Sequence, residues 1–313
     1  MNTPLRLTTT TVAALLALAT GASALDTELQ HGGFVIGDDG SSKPGWLLLN
    51  GSFASKGVDQ GWVLHDDAVS NLGGTYRYMG FGLTMNTMFA VGQDKSSSYA
   101  VTNPSSTTNN SYYGRENKPG EILQFETKLD WLFQINGVYG DNGPFMQIIP
   151  FIEYVTYPNQ GSNPYARVGN DEADNTNKTK QAWAGLDLWW ATPIPGIELG
   201  TSNAWNLAQP GYRGSFGARE FFQAAPIDFQ FWQIANYGNG EYKTYFVDSD
   251  SRGLSYGQVG GKAIVPMPWA DWWGYAKVDW TYWLDSDARE NLGDLGRDVG
   301  DLVLSLGMEY RLQ

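Results

Sequence analysis

Glu126, Lys128 and Asp130 stand two residues apart, a spacing that on an extended chain puts three charges of alternating sign on one face. The same parity, followed along the chain, collects Arg77, Glu153, Asp187, Glu198, Asp228, Lys262, Lys277, Asp279, Glu309 and Arg311, and with them Trp283. Rows of opposite charge on neighbouring strands pair across the ladder and keep a wall wettable; where they do not pair, they set up a transverse field that orients polar solutes. The set holds eight acids (Glu126, Asp130, Glu153, Asp187, Glu198, Asp228, Asp279, Glu309) against five bases (Arg77, Lys128, Lys262, Lys277, Arg311), so a tube lined by it mildly prefers cations or neutral molecules. Trp183, Trp189, Trp232 and Tyr275 fall on the same parity. Rings inside a polar tube either stack on the flat faces of sugars and nucleobases or fill the tube.

Other chemistries find less support. A Ser/His pair needs a histidine placed to take a proton, and the chain has only His31, in the N-terminal segment, and His65, which beside Asp66 and Asp67 is expected to be a solvated loop residue. Glu153, Asp187 and Glu198 could pair as glycosidase carboxylates, but acids are frequent throughout the chain. Asp285-Ser-Asp287 begins like a calcium loop, yet Arg289 and Glu290 stand where an oxygen ligand and a glycine are needed. Asp248-Ser-Asp250-Ser-Arg252-Gly253 has the glycine and lacks the closing glutamate, Val259 standing there. No phosphate loop, dinucleotide fingerprint or zinc spacing occurs. The expectation is no catalytic residue, no metal site and no cofactor.

The lining residues need strands to carry them. From Glu121 to Asn136, Leu123, Phe125, Thr127, Leu129, Trp131, Phe133 and Ile135 share one side of an extended chain, and Gln124, Glu126, Lys128, Asp130 and Gln134 share the other. A helix would mix the two sets around its circumference. Leu302, Leu304, Leu306, Met308, Tyr310 and Leu312 repeat the pattern, as do 81–91, 181–190, 258–267 and 277–284. Weaker windows at 46–57, 68–79, 145–157, 197–206, 217–225 and 227–236 bring the expected total to about twelve strands. Their connections alternate. Met79-Gly80-Phe81, 137–144, 192–196, Pro226 and 266–271 are short, whereas 58–67, 93–120, 158–180, 207–216, 237–253 and 285–300 are mostly long, polar and acidic.

Residues 1–24 read as a secretory signal: Arg6, an apolar run from Val12 to Gly21, and Ala22-Ser23-Ala24 as cleavage site. The formal charge of −13 argues against nucleic acid as a partner. Cysteine is absent, so an exported chain of this kind uses no disulfides. Thirteen Trp, seventeen Tyr and thirty-eight Gly with a mean hydropathy below zero suit a sheet with one greasy and one wet face. These features predict an all-β, antiparallel up-and-down transmembrane barrel with short periplasmic turns and long outer loops. The expected organisation is a signal peptide (1–24), a periplasmic segment (25–44) and the barrel (45–313).

The stretch Phe53-Ala-Ser-Lys-Gly-Val-Asp-Gln-Gly-Trp62, followed by Leu72-Gly-Gly-Thr-Tyr-Arg-Tyr-Met-Gly-Phe-Gly-Leu83, resembles the opening of TorF-type porins of Gram-negative bacteria. There a first strand leads through a loop into a second strand and a tight glycine-aromatic hairpin. The resemblance implies an outer-membrane channel for small polar solutes or ions, with membrane lipid and lipopolysaccharide around it. A homo-oligomer is compatible with the sequence. The competing expectations are a secreted carbohydrate-binding or carbohydrate-active β protein and a structural barrel with a plugged lumen.

Overall fold

The computed structural model describes residues 45–59, 62–65, 67–92, 118–136, 144–158, 180–194, 196–208, 211–239, 251–269, 271–294 and 299–312. The signal (1–24), the segment 25–44 with His31, the bulk of the loops 93–120, 158–180 and 237–253, and Asp248 to Asp250 lie outside them.

Twelve antiparallel strands form the molecule: β1 Gly45–Ala54, β2 Val69–Tyr78, β3 Phe81–Ala90, β4 Ile122–Trp131 continued by Phe133–Asn136, β5 Pro144–Thr156, β6 Lys180–Ala191, β7 Ile197–Asn206, β8 Tyr212–Ala224, β9 Ile227–Gly238, β10 Gly253–Pro266, β11 Trp272–Trp283 and β12 Gly300–Leu312. Each pairs with its sequence neighbours, and β1 pairs with β12 from Leu47↔Leu312 to Ala54↔Ser305. The ring therefore closes, and among the described residues no long strand is left with a free edge. Among the described residues no helix is long and apolar enough to cross a membrane.

Period two decides which side chain faces which way. On β12, Leu302, Leu304, Leu306 and Met308 are exposed while Asp301, Val303, Ser305, Glu309 and Arg311 are buried. The same division runs round the ring, with Leu49, Phe53, Leu72, Leu129, Ile152, Leu186, Phe216, Val259 and Val278 outward. Aromatic residues gather outside near the short-turn end, where Phe81 packs on Trp131, Phe222 stacks on Phe229 and Phe231, and Trp272 meets Tyr310. At the tightest turn Met79 and Gly80 both take positive φ (47° and 87°), as a two-residue hairpin loop with right-twisted strands requires.

Three features depart from the sequence reading. Leu123, expected outward, is fully buried, because a bulge pairs Met88 with Gln124 but Phe89 with Ile122, so the extra residue breaks the alternation. The segment 58–67 is not a plain loop: Gly57–Asp59 and Trp62–His65 form a small hairpin. The segment 285–300 begins with a helix, α1 Ser286–Asp294. Its first turn is capped by Asp285, whose Oδ1 accepts from the backbone N–H of Asp287 and of Ala288 at 3.0 Å each. The Asp-x-Asp spacing that looked like the start of a calcium loop is a helix cap.

Candidate functional site

The inward side chains build a repeated layer on the wall. On β6, Trp189 lies directly opposite Gly200 of β7, and a methyl group at that glycine would overlap the indole face. The bare backbone lets the ring lie flat against the sheet. The Arg219 guanidinium of β8 then covers the other face, 3.6 Å from the ring centre; its Nε donates to Glu198 Oε2 at 2.8 Å, and Nη2 lies within ion-pair distance of the same oxygen. Glycine, ring, cation and carboxylate stack in that order toward the interior.

The unit recurs with other residues. Trp232 lies opposite Gly260, Lys277 sits 5.2 Å above that ring, and Lys277 pairs with Asp279 at 2.9 Å. Tyr275 lies opposite Gly307, with Lys262 4.3 Å from the ring centre and 3.8 Å from Glu309. Phe151 lies opposite Gly185, with Lys128 4.4 Å above the ring and 3.1 Å from Asp187, which also accepts from Ser202 at 2.5 Å. Arg213 covers Trp183 and pairs with Glu153 at 2.8 Å; Arg311 covers Trp273 and pairs with Glu309 at 2.5 Å. Near the Met79-Gly80 turn, Arg77 pairs with Asp130 at 2.7 Å and donates to the Gly80 carbonyl at 2.8 Å.

Of the residues singled out as a lining, from Arg77 to Arg311, all are buried except Glu198, which is half-buried against Arg219. Glu126 and Asp228 are buried there beside the pairs described. Trp283 sits higher, against Tyr256 in an apolar cluster at the long-loop end. Arg213 and Arg219, which period two in the sequence does not single out, are buried with the lining residues. Residues 207–216 look like a loop, but β8 begins at Tyr212, and the outward Glu220 obscures the alternation that would reveal Arg213 and Arg219 as one face. With both added, the lining set among the described residues has the same eight acids against seven bases, and most of the bases are both paired and ring-bound. Trp189, covered on both faces, has no face left for a sugar.

The long-loop end holds buried side chains of a different kind. Leu64 of the small hairpin packs with Val69, Met88, Leu123, Val155 and Tyr157, and the cluster continues through Trp183, Tyr256, Trp283 and Val303 to Ala288 of α1. His65, expected to be solvated, is fully buried, because the hairpin folds over the barrel mouth. Tyr157 donates to Asp59, Lys56 pairs with Asp301 at 2.8 Å, and Ser251 donates to Asp285. The mouth thus couples an apolar layer to acids: Asp59, Asp285 and Asp301 against Lys56.

The chain matches no family model and no curated protein by sequence. Solved structures similar to it include the KdgM porin (11% identity, 84% of this chain and 98% of that one, TM-score 0.44) and the NanC porin (9% identity, 84% and 98%, TM-score 0.46). Another is Pseudomonas putida OprB (11% identity, 78% of this chain and 59% of that one, TM-score 0.32).

Proposed function

We propose that the chain is an outer-membrane channel of porin type, through which small polar solutes and ions diffuse passively, and that it is not an enzyme. The observation that carries this reading is the division of one closed sheet into an apolar outside and a charged inside. Exposed Leu302, Leu304, Leu306 and Met308 are continued round the ring by Leu49, Leu129, Ile152 and Val278 as an apolar belt, a surface that a water-soluble monomer does not carry all the way round. Hydrocarbon satisfies such a surface and water does not.

In this reading residues 1–24 direct export, 25–44 lie in the periplasm and 45–313 span the membrane among lipid and lipopolysaccharide. The likeness of 53–62 and 72–83 to TorF-type porins belongs with it. Twelve strands stand between barrels whose interior is filled by side chains and those with a wide channel, so the passage is narrow. Arg77, Lys128, Arg213, Arg219, Lys262, Lys277 and Arg311 are held by carboxylates and rings rather than free to swing, which keeps the wall polar and fixed. Selectivity then comes from width and from the acidic mouth. Swelling of proteoliposomes in sugars of graded size tests this: small sugars should enter and larger ones lag, and no swelling with any solute would refute it.

The apolar cluster at the mouth favours a second reading, a structural barrel with a filled lumen. Conductance of the purified protein separates the two.

A further inference from the structure

The outward belt is interrupted on one wall. Gln233 of β9 is exposed between the buried Trp232 and Ile234, six positions from Ile227 and five from Gly238, and so stands at mid-strand. Glu220 of β8, also exposed, is its diagonal neighbour: Ala218 pairs with Gln233 and Glu220 with Phe231. Neither side chain makes a hydrogen bond among the described residues. The other outward polar groups of this wall are satisfied locally: Asn203 accepts from Tyr212 and from Tyr237, and Thr201 donates to the Ser215 carbonyl at 2.9 Å. An amide at mid-strand facing hydrocarbon without a partner is costly, and the Glu220 carboxylate, level with Phe231 toward the short-turn edge of the belt, is the complementary group nearest to it on this wall.

We propose that this wall is the interface between two copies of the chain. The inference rests on the membrane reading above. Donor and acceptor occur once each on one patch, so a two-fold axis beside β8 and β9 brings the Gln233 amide of each copy to the Glu220 carboxylate of the other, and the pair forms twice. A single different partner would need the inverse pattern; a second copy has it already. Ala218 and Ala235 flank Gln233 and let the two sheets approach closely, while Phe216, Phe222 and Phe231 enclose the polar pair.

The chain has no cysteine, so single-cysteine variants report proximity without background. Purified protein in lipid vesicles at high lipid-to-protein ratio would carry Ala235→Cys or, as control, Met85→Cys, exposed on β3 six strands away. Added oxidant should link Ala235→Cys, and not Met85→Cys, into a dimer. The double variant Gln233→Leu/Glu220→Leu should insert and conduct but run at the monomer mass. A wild-type chain that inserts and conducts as a monomer, with equal cross-linking at the two positions, would overturn the interface while leaving the channel standing. Failure to insert at all would overturn both.

Discussion

Trp189 is held from both sides, and the glycine beneath it is the part most easily tested. Gly200→Ala puts a methyl group into the indole face, so the ring must lift, carrying Arg219 away from Glu198. Overpacking of this kind costs about 1–3 kcal/mol. Urea unfolding from vesicles should show that loss for Gly200→Ala and almost none for Gly211→Ala, where the nearest atom is an ordinary contact at 3.6 Å. Equal stability of the two variants would mean that the ring does not lie on the wall. Arg77→Met removes one half of a fully buried pair and leaves the Asp130 charge uncompensated, for which a loss of about 3–5 kcal/mol is expected, less wherever lumen water reaches the carboxylate. The same unfolding experiment checks it, and an unchanged midpoint would count against the pair. At this scale the sequence disclosed which residues are charged and which parity they share. It did not disclose the partners, because Glu198 and Arg219, or Glu153 and Arg213, meet only through a register between strands that one sequence does not contain.

On the channel reading a strand of this barrel has a lipid side and a lumen side, and substitution should respect the difference. Leu129 is 43% exposed at the middle of the long β4 path. Leu129→Arg should cost about 2–4 kcal/mol of folding into vesicles, as an arginine near the bilayer midplane does. Lys128→Gln, next to it, changes only the inner wall and leaves Asp187 an amide donor beside Ser202; it should cost less. Equal losses would reverse the face assignment. Period two made β3, β4, β6, β11 and β12 legible because each carries an unbroken apolar face. The parity failed at Leu123, since a bulge is set by the partner strand rather than by local residues. It failed again over the small hairpin 57–65, whose buried His65 and Asp59 sit in a stretch too short and polar to announce structure. Replacing that hairpin by a short Gly-Ser linker should raise single-channel conductance, because Leu64 would leave the mouth cluster. An unchanged conductance would put the constriction elsewhere.

At the scale of the whole molecule, strand number, ring closure and the alternation of short and long connections follow from composition and periodicity. The acidic balance needs revision: Arg213 and Arg219 bring the inner wall close to neutrality, and the excess moves to the mouth, with Asp59, Asp285 and Asp301. A preference for cations should therefore be weak. It should also fade with salt, since fixed charges act over a Debye length of about 10 Å at 0.1 M. The most direct test is a planar-bilayer recording of the purified, refolded protein in a potassium chloride gradient. The account predicts discrete conductance steps with a reversal potential shifted modestly toward potassium at low salt and toward zero at high salt. Insertion without any conductance would contradict the channel, and a chloride preference at low salt would contradict the charges assigned to its wall and mouth.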